Sequence, residues 1–310
     1  MVLSVRQSFQ PGWMMPTRRG ALAALGALPF FSQQVDGIGI SDAEGFRAIE
    51  KAIWVWNLDW TLAGALGEFA RTQGVATLFV SLPQGVRSRL LARDGELTHS
   101  IRSLSATGIE MWALAGDPAW LEDSTRLAGP LQEFIELQEL HELFHGLHLD
   151  VEPHAHPRWR LGEGPRSQLL ESFVEFFATV SARTKTLPIE AAVHPAMAQL
   201  RLRDGENLLR GIGRHVARMS IMAYRDSAVA TFKWAMPAIE ALTGTKVDWR
   251  VGVLVHKSNE NRISFFNVPL TNFRLEMIEL DGMLRARTDQ QRYRGLAFED
   301  YNGLRNLFGA

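Results

Sequence analysis

The sequence predicts an α/β fold of the (β/α)8 TIM-barrel class, and three observations carry that expectation. From residue 45 onward, short apolar runs alternate with longer amphipathic ones. Eight of the short runs read as strands, and their starts lie about 34 residues apart on average, room for one strand, one helix and two short loops. No Gly-x-Gly-x-x-Gly follows the first of them, which argues against an open doubly wound sheet.

In chain order the strands are expected at 53–56, 75–81, 109–115, 147–152, 189–194, 218–224, 250–256 and 294–299. Each is rich in β-branched or other apolar residues, and several open just after a glycine, as at Gly74, Gly108 and Gly146. Between them, 62–71, 97–105, 131–144, 167–184, 228–242 and 275–293 carry apolar positions at three- and four-residue spacing and read as helices. No linker or low-complexity segment divides residues 45–310, so they read as one barrel domain behind a leader of residues 1–36.

The 310 residues are 46% hydrophobic and 22% charged, a composition that supports a sizeable core. A net charge of −1 and a pI near 6.8 give nucleic acid or an anionic membrane no electrostatic footing. The chain has no cysteine, which excludes disulfides, thiolate nucleophiles and cysteine-ligated metals. Nothing in it calls for a cofactor.

The fourth strand is the most informative. Leu147, Leu149 and Val151 alternate with His148, Asp150 and Glu152, so one face is apolar and the other ionisable. In a barrel wrapped by helices the apolar face turns outward, and carboxylates on the inner face belong near the open, C-terminal end. Two carboxylates two residues apart on a strand lie about 6.5–7 Å apart at Cα, so one is expected to keep its proton toward neutral pH. That arrangement produces a general acid.

The other strand ends are also polar or aromatic: Trp56, Ser81, Asp117, His194, Tyr224 with Arg225 and Asp226, His256, and Glu299 with Asp300 and Tyr301. Together they make a pocket's inventory. Trp56, Trp60, Trp120 and Trp159 near strand ends suit a cleft that stacks sugar rings, while Trp54 and Trp112 read equally well as core. The substrate-binding set drawn from these is Trp56, His148, His194, Arg225, Asp226, His256 and Glu299, around a carbohydrate.

The run from His145 to Glu152 resembles the strand-four signature Asp-x-x-Asp-x-Asp-x-Glu of chitinase-type glycoside hydrolases, with His145 and His148 at its first two aspartates. Met222-Ala223-Tyr224-Arg225 resembles that family's strand-six Met-x-Tyr-Asp motif, with Arg225 in place of the aspartate. The resemblance implies a distant branch of barrel glycosidases. It implies Glu152 as the acid that protonates the glycosidic oxygen, Asp150 as the carboxylate steadying a substrate acetamido group that acts as internal nucleophile, and Tyr224 as its hydrogen-bond partner. Such enzymes are the substrate-assisted exception to the scheme of two reacting carboxylates. The histidine at 148 removes a site where a proton could be shared with Asp150.

Other readings stay open at this point. In a double-displacement scheme the second carboxylate would be Glu299, since the seventh strand ends in His256 and offers only the later Glu260. His141-Glu142-Leu143-Phe144-His145 matches His-Glu-x-x-His, a zinc-protease pattern, but precedes strand four and so belongs at the barrel's opposite end. His148, His154 and His156 with Asp150 could form a metal site serving a hydrolase. A barrel that binds saccharide without cleaving it is the third class.

At the N-terminus, an arginine pair, Arg18 and Arg19, precedes a short apolar run ending at Phe31. This resembles a twin-arginine export signal and implies the twin-arginine translocation machinery as a transient partner and a periplasmic or secreted protein. The apolar run is too short for a stable membrane anchor. Cleavage is expected between Phe31 and Gly37, with Met14 or Met15 as an alternative start.

Overall fold

The computed structural model describes residues 41–184, 187–286 and 290–309. The leader, with Arg18 and Arg19, lies outside them. Eight parallel strands close into one barrel in sequence order: β1 Lys51–Val55, β2 Val75–Ser81, β3 Glu110–Ala115, β4 Gly146–Leu149, β5 Ile189–Val193, β6 Arg218–Met222, β7 Asp248–Leu254 and β8 Tyr293–Glu299. The expected fold class is the observed one, and each strand overlaps its expected position.

Helices wrap the barrel: α1 Asp42–Ala48, α2 Ala63–Gln73, α3 Gln84–Leu91, α4 Gly95–Ser105, α5 Gly129–His141, α6 Glu163–Thr184, α7 Leu208–Gly213, α8 Ala228–Leu242, α9 Leu270–Arg285 and α10 Tyr301–Leu307. Four of these, α1, α3, α7 and α10, were not expected, because each is short and carries too few periodic apolar positions. α1 is started by a capping box in which Ser41 and Glu44 satisfy each other's backbone N–H groups. Its Phe46 packs 5.8 Å from Phe273 of α9, which seats α1 in the outer shell of the barrel.

The strand alternation sorts side chains into an outer shell and smaller groups inside the barrel, one of them around Ala192, Met222, Tyr224 and Leu254. Ile53, Leu78, Met111, Leu147, Leu149, Ile221, Val251 and Phe298 face the helices in one continuous shell. Inside the lumen, Ala52, Trp54, Phe79, Trp112, Leu114 and Ala297 form a separate plug. Trp54 and Trp112 are therefore core and line no sugar cleft. Gly146, expected to stand just before the fourth strand, is instead its first residue, and any Cβ there would collide with the Trp112 ring. Here glycine lets an indole fill the barrel's centre.

A buried ionic group lies beside this plug. Arg250 Nε sits 3.0 Å from Glu190 Oε1 with both side chains essentially inaccessible, and Ser220 Oγ donates to the same oxygen at 2.5 Å. The Arg250 contact is close but not aligned as a hydrogen bond, so its strength is chiefly Coulombic. Removing one charge of such a pair leaves the other stranded, whereas removing both can be neutral. Glu190→Gln is expected to destabilise the barrel by roughly 3–5 kcal/mol, and Glu190→Gln with Arg250→Met to recover most of that loss in urea denaturation.

Candidate active site

Because β4 ends at Leu149, Asp150 and Glu152 sit just past its C-terminal edge, where the chain leaves the sheet. The Asp150 amide still donates to Ala115 O at 2.9 Å, tying the carboxylate's backbone to the end of β3. Gly116 follows, and a Cβ there would overlap the Asp150 carbonyl. Glu152 then caps a short turn, Pro153–Ala155, which brings His154 Nε2 to 3.6 Å from Glu152 Oε1.

A third carboxylate joins them. Glu299, the last residue of β8, accepts from Trp56 Nε1 at 3.2 Å and from the Tyr224 hydroxyl on its other oxygen. The structure thus brings Asp150, Glu152, Glu299, Tyr224 and Trp56 to one end of the barrel. Asp150 Oδ1 is buried without a hydrogen-bond partner, while the Glu152 side chain keeps 26% of its surface open. One Asp150 oxygen is shut away, while both residues keep part of their surface open.

Their electrostatics follow from that burial. Asp150 is pushed well above the usual carboxylate range by burial, and further by Glu152 and Glu299. Burial, with the Glu299 charge second, lifts Glu152 to about 7. Glu299 is also raised by burial, but the donors Tyr224 and Trp56 and the nearby His256 offset part of the rise. Of the three, Glu299 is the one whose charge the surroundings solvate. Tyr224 is held as a neutral phenol, by burial first and by Glu299 second.

A wall of rings leads away from Glu152. His154 lies 5.7 Å from His194 at the end of β5, His194 meets Trp234 of α8 edge-on at 5.8 Å, and the Arg225 guanidinium lies 4.3 Å from the Trp234 ring centre. Burial drives both imidazoles down to about 4, so they are neutral at pH 7. Trp234 carried no mark in the sequence beyond its place in an expected helix; only the fold turns that helix's first turns toward the mouth.

Several expected site residues stand elsewhere. His148 is not at the mouth: it is fully buried within the lumen, stacked 3.7 Å over Phe79, with Nε2 accepting from Trp54 Nε1 at 2.9 Å. The alternation put its side chain inward correctly, but one residue pair too deep to meet a ligand. Asp226 is paired with Arg262 at 3.4 Å on the rim. Asp117 and Asp300 cap the turns that follow their strands, and Tyr301 packs against Phe69.

The metal readings lose their geometry. His148 is committed to the lumen, and His156 Nδ1 accepts from the Arg158 amide, so these imidazoles do not converge with His154. Among the described residues no group of three His, Asp or Glu side chains is placed to hold a metal ion. α5 stops at His141, with Glu142 in the left-handed region at φ 49°, so the His-Glu-x-x-His residues do not share a helix. His145 lies at the N-terminal end of the barrel, where its Nδ1 accepts from the Met111 amide at 3.1 Å.

No protein-family model and no curated protein sequence matches the chain. Solved structures do resemble it. A GH18 chitinase from Pseudoalteromonas aurantia superimposes with a TM-score of 0.57 at 11% identity, over 83% of this chain and 96% of that one. A chitinase from Rhizomucor miehei gives 0.49 at 10% identity over 84% and 98%, and the spore cortex-lytic enzyme SleL of Bacillus cereus gives 0.49 at 11% over 81% and 70%. What the chain shares with the first of these, the GH18 chitinase, is its fold, a closed barrel of eight parallel strands with flanking helices.

Proposed function

We propose that this chain is an exported glycoside hydrolase acting on a poly- or oligosaccharide, with Glu152 as general acid and Asp150 assisting. The observation that carries this reading is the protonation of Glu152: a carboxyl that holds its proton to about pH 7 yet opens to the barrel mouth is suited to donating it. In the reaction, that proton passes to the glycosidic oxygen as the bond to the anomeric carbon breaks. Asp150, beside it, steadies the group that stabilises the resulting cation, and water then adds at the anomeric carbon as its proton returns to Glu152. If that group is the substrate's own acetamido function, as the strand-four resemblance implies, sugars lacking it are poor substrates.

Tyr224 has a more limited part than the resemblance implies. Its hydroxyl donates to Glu299, so it reaches a substrate only by exchanging that bond. The barrel likeness to a chitinase makes N-acetylated glycans the first substrates to try. The test is a screen of purified protein against labelled N-acetylated glycans and uncharged β-glucans, with and without chelator. Cleavage of the former that withstands chelator supports the reading; chelator-sensitive cleavage returns the histidines to contention, and binding without any cleavage favours a saccharide-binding barrel.

Export is the second half of the proposal. No helix among the described residues is long and apolar enough to cross a membrane. The arginine pair in the leader is read by its guanidinium groups, so Arg18→Lys with Arg19→Lys is expected to trap the protein inside the cell. Unchanged recovery from the periplasm or medium, measured by fractionation, would refute the signal.

A further inference from the structure

The chitinase-type motif carries an aspartate after its strand-six tyrosine, and here that position is Arg225. Its guanidinium is built into the wall of the site. One face lies on Trp234, and Nη1 donates to Tyr224 O at 2.6 Å. Those two contacts fix the plane of the group, and among the described residues no acceptor takes up Nε or Nη2. An arginine so held presents the two parallel N–H groups that match a carboxylate.

The nearby acids do not take up that edge. Asp226 is paired with Arg262, and no carboxylate among the described residues makes an ion pair with Arg225. Glu260 feels Arg225 only at a distance, and its Oε1 is buried without a hydrogen-bond partner. The rings between Arg225 and Glu152 are His154, His194 and Trp234, the two imidazoles uncharged at neutral pH. From the acid outward, the wall is therefore a neutral aromatic strip that ends in a cation. A saccharide lying along that wall would bring a substituent up to the guanidinium, which favours an anionic one.

We propose that Arg225, stacked on Trp234, forms a subsite for a carboxylate carried by the saccharide, so that the substrate is an acidic glycan. This rests on the saccharide-binding reading of the pocket and narrows its substrate class. The carboxylate belongs either to a uronic acid within the chain or to a carboxyalkyl ether on a sugar, and both present the same planar group to the guanidinium.

The test uses the full chain carrying Glu152→Gln, which keeps ligands intact. Trigalacturonate and a disaccharide containing N-acetylmuramic acid are titrated calorimetrically, each beside its neutral methyl ester. At least one acid is expected to bind about tenfold or more tighter than its ester, in keeping with a charge-assisted bidentate contact. Arg225→Gln in the same background should erase that preference, and Arg225→Lys should restore only part of it, since an ammonium lacks the fork. An unchanged melting temperature shows that the variants are folded. Equal affinity for acid and ester, a preference that survives Arg225→Gln, or no binding of either acid overturns the proposal. Cleavage of neutral glycans with no such preference would leave the glycosidase reading intact while removing this one; acid binding without cleavage of any glycan would do the reverse.

Discussion

Glu152→Gln is expected to lower turnover by roughly 10² to 10⁴ while saccharide binding survives, because the amide keeps the side chain's shape but has no proton to give. Single-turnover assays beside equilibrium binding read the two effects apart. Full activity in this variant would remove the mechanism. The same group sets the pH dependence. Glu152 is raised to about 7 in the folded protein, so kcat/KM should fall as pH rises through that value and the acid is lost.

The variant should also change stability, with a sign fixed by the direction of the shift. Below pH 4.5 the carboxyl is protonated both folded and unfolded, so it contributes no pH dependence. Between that value and about 7 the unfolded chain releases the proton while the folded one retains it, and stability declines with rising pH. Glu152→Gln abolishes that decline, so its melting temperature should exceed the parent's at pH 8 more than at pH 4. A dead enzyme that is more stable at alkaline pH is the combined signature.

Gly116→Ala is the second large effect. The methyl group would be driven into the Asp150 carbonyl, a backbone atom that cannot swing aside as a side chain can. Overpacking of this kind costs roughly 1–3 kcal/mol. Relief comes from moving the end of β3 away from the segment bearing Asp150 and Glu152, and a displacement of about 1 Å in a reacting group can cost 10²-fold in rate. Urea denaturation should show the first and steady-state kinetics the second. An alanine variant with native rate and native stability would mean that the two strand ends are not held as described.

The barrel was legible because its signal is local and repeated. The alternation through Leu147, Leu149 and Val151 can be satisfied only by a strand with an apolar outer face, and seven other runs tell the same story. Glu152 and Asp150 were legible for the same reason, being the polar half of that alternation where it runs out of the sheet. Depth along the barrel axis was not legible. His148 and Asp150 share a face, yet one is lumen and the other mouth, because the height at which the plug of Trp54, Phe79 and Trp112 ends is set by eight strands at once. Trp234 and Glu299 meet the site through helix packing and barrel closure, contacts between residues far apart in the chain. The hydrogen bond from Tyr224 to Glu299 is equally invisible to spacing, although each residue alone stood out as a polar strand end.

The aromatic plug also makes the site a chamber with one door. Where the related signature would continue downward in a second carboxylate, this barrel has a histidine whose Nε2 is occupied by an indole and whose ring lies flat on a phenylalanine. Beneath it Glu190 lies 3.8 Å from His148 Nδ1, but that acid is engaged by Arg250 and Ser220 within the wall. On the glycosidase reading, the carboxyls that a substrate would meet are those at the mouth, and their exchange of protons with solvent shares the opening that a sugar would use.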